Sequence, residues 1–432
     1  MNRRGDKRVL YGWRIVAAAF VIVFFAHGIA FYSFSVFVKP LEGHFGWSRT
    51  TISLGVVLWA LLYGLSGPLV GVCMDKCGAR IVIACSALLV GACFFLLGSL
   101  NRLPMLYVLM VLSGIGSAGM TTIPIQAVIS NWFDEDRGKA MGIMMAGVGL
   151  GGLAMPPLSN AVITELGWRT SFRMEGLLLL FIVVPLAAWV VRTRPSEVGL
   201  QPDGMCPPEG RQKTHGARKE EKVAGLSVRR ALATASFWLL FVAYVLQIFG
   251  ASGLTVHFVA FVDDAGVSSQ AAATFWGLAI GCSVFGRVLF GLLADRRNPT
   301  NLMAFTNMCH GLAVAILLIF FLHLGIHSAA SLLPFAVLYG LSMGGTSVLL
   351  PVLAGRCFGL LNFSKLLGLL MSGFALGVVG GPLVAGRVFD TGGSYGPALL
   401  LFAVAFTASG LAVLFVRQEI GQRGEPACSF RR

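Results

Sequence analysis

The chain has 432 residues, with 33 Lys and Arg against 19 Asp and Glu for a net charge of +14, and it is 56% hydrophobic but only 12% charged. A soluble globular protein carries about 25% charged residues, and a soluble nucleic-acid-binding protein of this charge spreads its cations through polar sequence. Here the cations cluster between long apolar runs, which excludes disorder, a secreted disulfide scaffold, a soluble enzyme and a nucleic-acid partner, and leaves an all-α polytopic protein of the lipid bilayer.

A membrane-crossing helix needs roughly 20 mostly apolar residues. Twelve runs qualify: 11–38, 51–73, 81–100, 104–130, 140–163, 172–191, 236–262, 269–294, 301–324, 329–354, 366–388 and 396–416. Arg3, Arg4, Lys7 and Arg8 precede the first run. A secretory signal core is only about 7–15 residues long, so this longer run is expected to remain as span 1. The one long polar stretch, 192–235, holds Pro195, Pro202, Pro207 and Pro208 and reads as a cytoplasmic linker. It divides the chain into a six-helix bundle over 1–191 and a second over 236–432 with a short cytoplasmic tail. Lys and Arg stay on the cytoplasmic side of short loops. With the N-terminus inside, 26 of the 33 fall on inner segments, 6 on outer loops, and one, Arg287, within span 8. Both termini are therefore expected in the cytoplasm. Of the 9 cysteines, Cys73 and Cys77 lie one helical turn apart. Neither a histidine nor a second pair accompanies them, so no metal site is expected.

The halves repeat. A shift of 220 superposes Gly46 on Gly266, Ser48 on Ser268, Gly71 on Gly291 and Asp75 on Asp295. A shift of 226 superposes Lys139 on Lys365, Gly142 on Gly368, Gly147 on Gly373, Gly151 on Gly377 and Pro156 on Pro382. Parallel six-span repeats imply an axis along the membrane normal and a substrate site between the halves. After span 2 the chain carries Gly71, Asp75, Lys76, Gly78 and Arg80; after span 8 it carries Gly291, Asp295 and Arg296. The glycine permits close helix approach, and the aspartate can sit against a helix N-terminus. This G-x-x-x-D-[RK]-x-G-x-[RK] pattern resembles the inter-helix loop motif of the major facilitator superfamily, complete in the first copy and partial in the second. The resemblance implies twelve transmembrane helices in two pseudo-symmetric bundles, with these loops gating the cytoplasmic side.

Further segments resemble the monocarboxylate transporter and oxalate/formate antiporter group. They are Tyr11-Gly12-Trp13, Val36 to Phe45, Gly46-Trp47-Ser48-Arg49-Thr50, Trp132-Phe133 with Arg137-Gly138, and Gly286-Arg287 with Gly291. The order holds through essentially the whole chain outside the linker. Arg287 lies eight residues before Asp295, about 12 Å deeper at 1.5 Å per residue. A cation at that depth is expensive and is normally paired or set on a watery pathway, and its planar fork suits a carboxylate. Its repeat counterpart is Gly67, so only one half carries the charge. In the transporters it resembles, the arginine at this position binds the substrate carboxylate.

The departures matter too. Animal proton-coupled members carry an aspartate where this chain has Ser283 and a span-1 lysine where alignment puts Tyr32. The antiporters carry a lysine in span 11, which here has none. A single buried cation suits a single carboxylate, since a second would be left unpaired in low dielectric. His257 in span 7 can hydrogen-bond a ligand or carry a proton, or can be a structural histidine on a backbone carbonyl; His27 in span 1 leaves the same alternatives. Tyr339 can donate its hydroxyl to a ligand, whereas Gln126 reads as interhelical glue.

The expected function is secondary transport of a small, lactate- or pyruvate-like monocarboxylate by rocking of two halves. Arg287 would bind the carboxylate, and Tyr32, Ser283, His257 and Tyr339 would shape the pocket. Importing a lone anion against a negative interior costs roughly 2.3 kcal/mol per 100 mV, so a co-transported proton is expected, carried by His257 or by the substrate itself. No other cofactor is expected. Carboxylate exchange is the alternative, and a transporter-like carboxylate receptor is a reading of another class. Short loops and an excess of Arg over Lys suggest a bacterial inner membrane, and one chain is expected to function as a monomer.

Overall fold

The computed structural model describes residues 3–204, 225–320 and 332–418, and its regular elements there are all helical. Span 1 runs as Arg3–His27, passes through a π-helical segment Gly28–Ser33, and continues as Phe34–Phe45. It thus extends past the predicted end at 38, through Pro40. It stops at Gly46, whose left-handed φ of 69° lets its N–H reach back to the Glu42 carbonyl. Span 2 starts at Arg49–Leu65, where the Ser48 hydroxyl accepts the Thr51 N–H at 3.2 Å. Ser268 repeats that cap for span 8 by accepting the Ala271 N–H at 3.3 Å, and Gly266 repeats the positive φ of Gly46. The repeated residues are therefore those with special backbone duties.

The segment after span 2 differs from expectation. Gly67–Leu97 comprises two helices, the end of span 2 and all of span 3, that meet at Gly78 with no intervening loop. The chain reverses at the single residue Gly78 (φ 75°, ψ 163°), a conformation that favours glycine. Asp75 and Lys76 are consequently helical rather than in a loop. Among the described residues eleven helices are therefore long and apolar enough to cross a membrane, with Arg49–Leu65 as a shorter one.

Span 4 is Leu103–Met120 and Thr122–Trp132, span 5 Arg137–Leu166, and span 6 Trp168–Leu178 continuing through Leu179–Val183 to Val184–Trp189. Spans 7 and 8 are Ala235–Asp264 and Ser269–Arg296. Span 9 is Pro299–Ile319, and the end predicted for it at 324 lies outside the described residues, as does the start predicted for span 10 at 329. Span 10 is described as Leu333–Phe358, span 11 as Phe363–Met371 and Gly373–Gly392, and span 12 as Gly396–Leu414. The described flanks of the linker pack on the bundle: Thr193 accepts the Ala79 N–H at 2.9 Å, and the Leu226 N–H reaches the Phe358 carbonyl at 2.9 Å.

Helix pairs in lipid gain little from apolar burial, so close approach and polar contacts hold them. A Cβ on Gly142 of span 5 would lie 2.5 Å from the Arg287 carbonyl of span 8, and one on Gly67 of span 2 would lie 2.5 Å from the Gly368 carbonyl of span 11. These are repeat-related contacts, and they join the two bundles. Within the second bundle, Asn307 donates to Ser409 at 2.9 Å and Thr346 donates to Asn307 at 2.9 Å, linking spans 9, 12 and 10.

Candidate functional site

Between the bundles lies a cavity of about 310 Å³, walled by spans 1, 2, 4 and 5 on one side and 7, 8, 10 and 11 on the other. Arg287 reaches it because span 8 is seated closely on glycines. Span 5 presents Gly142 to its backbone, and a Cβ on Gly149 would overlap its guanidinium. Arg287 is only 3% exposed. Its Nη1 donates to Ser283 Oγ at 2.9 Å, one turn earlier on the same helix, while Nε is buried without a partner. It makes no ion pair with any described residue. An uncompensated guanidinium in an apolar wall is a strong anion receptor, because a carboxylate entering the cavity would supply the bonds it lacks.

Tyr32 lines the same cavity from the π-helical segment of span 1, its ring 2.9 Å from where a Cβ on Gly152 would stand. Ser283 orients Arg287 without lining the cavity itself. The other two candidates lie apart from the lining. Tyr339 is buried in an aromatic cluster, 5.2 Å from Phe335 and 4.8 Å from His310 between ring centres. Trp276, which does line the cavity, packs on it at 5.6 Å. His257 is engaged at both ring nitrogens, Nε2 at 3.1 Å from the Pro382 carbonyl and Nδ1 at 3.2 Å from the Tyr395 hydroxyl. A carbonyl only accepts, so Nε2 carries a hydrogen, and Nδ1 of the neutral ring accepts from Tyr395. Burial, helped by Asp264 and Asp390, pushes the Tyr395 phenol up from its ordinary value and keeps it a donor.

Several lining residues fall outside the set that the sequence assigns to the pocket. His27 lines the cavity with Nδ1 at 3.3 Å from the Val23 carbonyl, and Gln126 lines it with its Oε1 buried and unpartnered. Tyr63, held by Thr122 at 3.1 Å, and Tyr244, Gln247 and Thr255 of span 7 complete much of the polar lining. The span-7 set is readable as a stripe at helical spacing; His257 falls on another face.

One end of the bundle is shut by the repeated motif. Asp295 accepts the backbone N–H groups of Gly138 and Lys139 at 2.6 and 2.8 Å, while Asp75 pairs with Lys365 at 2.8 Å. Gly71 lies against the backbone of Ser364 and Lys365, and Gly291 against Gly138 and Gly142. Lys76, Arg80 and Arg296 are exposed, and Gly78 supplies the reversal described above.

A sequence profile of the Major Facilitator Superfamily matches residues 20–361. Among curated relatives, monocarboxylate transporter 12 of Homo sapiens is 25% identical over 94% of this chain and 80% of its own length. Monocarboxylate transporter 3 of Rattus norvegicus is 28% identical over 94% and 78%. Among solved structures, FucP in its outward conformation aligns with a TM-score of 0.65 at 14% identity, covering 93% of this chain and 98% of that one. The human organic anion transporter MFSD10 aligns with a TM-score of 0.69 at 15% identity, over 93% and 99%.

Proposed function

The chain belongs to the Major Facilitator Superfamily, and on that premise we propose that it carries a monocarboxylate across the membrane by alternating access, with Arg287 holding the carboxylate. The observation that carries this reading is the unpaired, buried guanidinium in a cavity between the bundles. The relatives named as monocarboxylate transporters support the same substrate class. Tyr32 lies close by on the opposing bundle, so a bound carboxylate touches both halves and can bias their rocking. In this reading the end sealed by Asp75 and Asp295 faces the cytoplasm, as the Lys and Arg bias demands. The membrane is read as a bacterial inner membrane, and one chain suffices because it builds the whole cavity.

The transport is proton-coupled in this proposal, because one proton per anion removes the cost of moving negative charge inward. Both nitrogens of His257 are already engaged outside the lining, so the ring can take up a further proton only by giving up its bond with Tyr395. Carboxylate exchange stands as a second reading, since among the described residues no Asp or Glu lines the cavity to relay a proton. Reconstituted vesicles separate the two: symport responds to an imposed pH gradient, exchange to preloaded carboxylate. Arg287→Gln is expected to abolish uptake of a labelled monocarboxylate by folded protein. Undiminished uptake by that variant would overturn the assignment.

A further inference from the structure

We propose that the substrate is a monocarboxylate with a bulky apolar body, about the size of one aromatic ring on a short linker, and without an ammonium group. This rests on the carboxylate reading above and narrows it. At about 30 Å³ per water, the 310 Å³ cavity holds roughly ten waters, of which a three-carbon acid replaces only about three or four. An apolar cavity of about 150 Å³ is enough for a benzene ring. The space beside Arg287 therefore accommodates a ring, a linker and the carboxylate together.

The wall chemistry points the same way. Trp276, Tyr244, Phe374, Met145, Met371 and Ile248 give the lining broad apolar and aromatic surface. Rings pack on such surface with more than their area term, and thioethers adapt to them. A small hydroxy- or keto-acid would leave this surface wetted and gain nothing from it. Among the described residues, Arg287 is the lining's only Arg or Lys, and no Asp or Glu lines it. An amino acid's ammonium, stripped of water here, would find no anion to pair with, and a second carboxylate would find no second cation. The fitting chemistry is one negative pole on one hydrocarbon body.

The full chain, purified in detergent, is titrated with 3-phenylpropionate, phenylacetate, lactate, phenylalanine and succinate while its melting temperature is followed, beside Arg287→Gln and Ala251→Phe. Burial of a ring predicts that 3-phenylpropionate binds at least about tenfold more tightly than lactate. Phenylalanine and succinate should give shifts no larger than that of lactate. Ala251 lines the cavity, and filling it with a ring should weaken 3-phenylpropionate by about tenfold while the unliganded melting temperature stays near wild type. If lactate binds as tightly as 3-phenylpropionate and loses binding in Arg287→Gln, the bulky body is refuted and the carboxylate site survives. Equal binding of phenylalanine and 3-phenylpropionate refutes the exclusion of ammonium. If no carboxylate binds, or all bind Arg287→Gln unchanged, the carboxylate reading falls and this proposal with it.

Discussion

Asp295 accepts the Gly138 N–H at 2.6 Å, so a side chain from span 8 caps the first turn of span 5 across the boundary between the bundles. Its second oxygen takes the Lys139 N–H at 2.8 Å. Two orphan donors and the positive end of a helix dipole are thereby satisfied from the other half of the molecule. Losing a cap of this kind costs about 0.5–2 kcal/mol, and here the loss falls on the closed end alone. Asp295→Ala is therefore expected to loosen that end. Spin labels at positions 80 and 297, exposed on the two halves, should report a longer distance, and uptake should fall several-fold. An unchanged distance distribution would show that the cap does not hold the end shut.

The repeat-related contact is weaker by the same physics. Asp75 and Lys365 meet at 2.8 Å, but their side chains remain 31% and 33% exposed. A pair this accessible contributes about 0–1 kcal/mol. Asp75→Asn should accordingly disturb the closed end less than Asp295→Ala does. A charge swap, Asp75→Lys with Lys365→Asp, should recover most of the transport lost in either single reversal. Failure of the swap to recover transport would mean that Asp75 works through the helix N-terminus of span 11 and not through Lys365.

What is legible in the sequence follows from which costs show in one dimension. A lone arginine in an apolar run is expensive wherever it faces, so the amino-acid order alone marks Arg287. Asp295 is readable as a helix-terminal acid because glycine and aspartate recur at the same offset in both halves. Facing is harder to read. Tyr339 continues the span-10 stripe of Met343, Thr346 and Leu350, yet Trp276 packs on its ring and the lining stops one turn short. That depends on a side chain from another span, which periodicity cannot supply. His257 is suitable by residue type, but the lining stripe of span 7 runs through Tyr244, Gln247, Ala251 and Thr255 on another face. The one-residue reversal at Gly78 is hidden because a pattern of Asp, Lys, Gly and Arg reads as a loop even when most of it is helical.

Gly149 offers a test of how tightly the guanidinium is positioned. A Cβ there would overlap Arg287 Nη1 and would also lie 2.6 Å from Val284 Cγ2. The arginine end is flexible and can yield, whereas the β-branched Val284 gives way only with a small shift of span 8, so Gly149→Ala should fold with some loss of stability. The displaced fork, however, would lose its bond to Ser283 and its aim into the cavity. Since misplacement of a positioning group by about 1 Å can cost up to 100-fold, uptake should drop at least tenfold, far more than the modest fall in melting temperature from the Val284 overlap accounts for. Equal losses of both would mean that the residue serves helix packing and not the site.

His257 offers a test of the proposed proton coupling. Its ring ties span 7 to the Pro382 carbonyl of span 11 and to Tyr395 at the start of span 12. Interhelical hydrogen bonds in a membrane are worth about 0.6 kcal/mol each on average, so His257→Ala should lower stability by roughly 1–2 kcal/mol once the loss of packing is included. The dependence of uptake on a pH gradient should survive, because the ring is tied up outside the cavity lining. Tyr395→Phe, which removes only the hydroxyl donor, should reproduce a smaller part of the stability loss and none of any coupling change. The measurement is uptake into vesicles with and without an imposed gradient, beside exchange at equal pH. A His257→Ala protein that exchanges normally but no longer responds to the gradient would make this histidine the proton carrier.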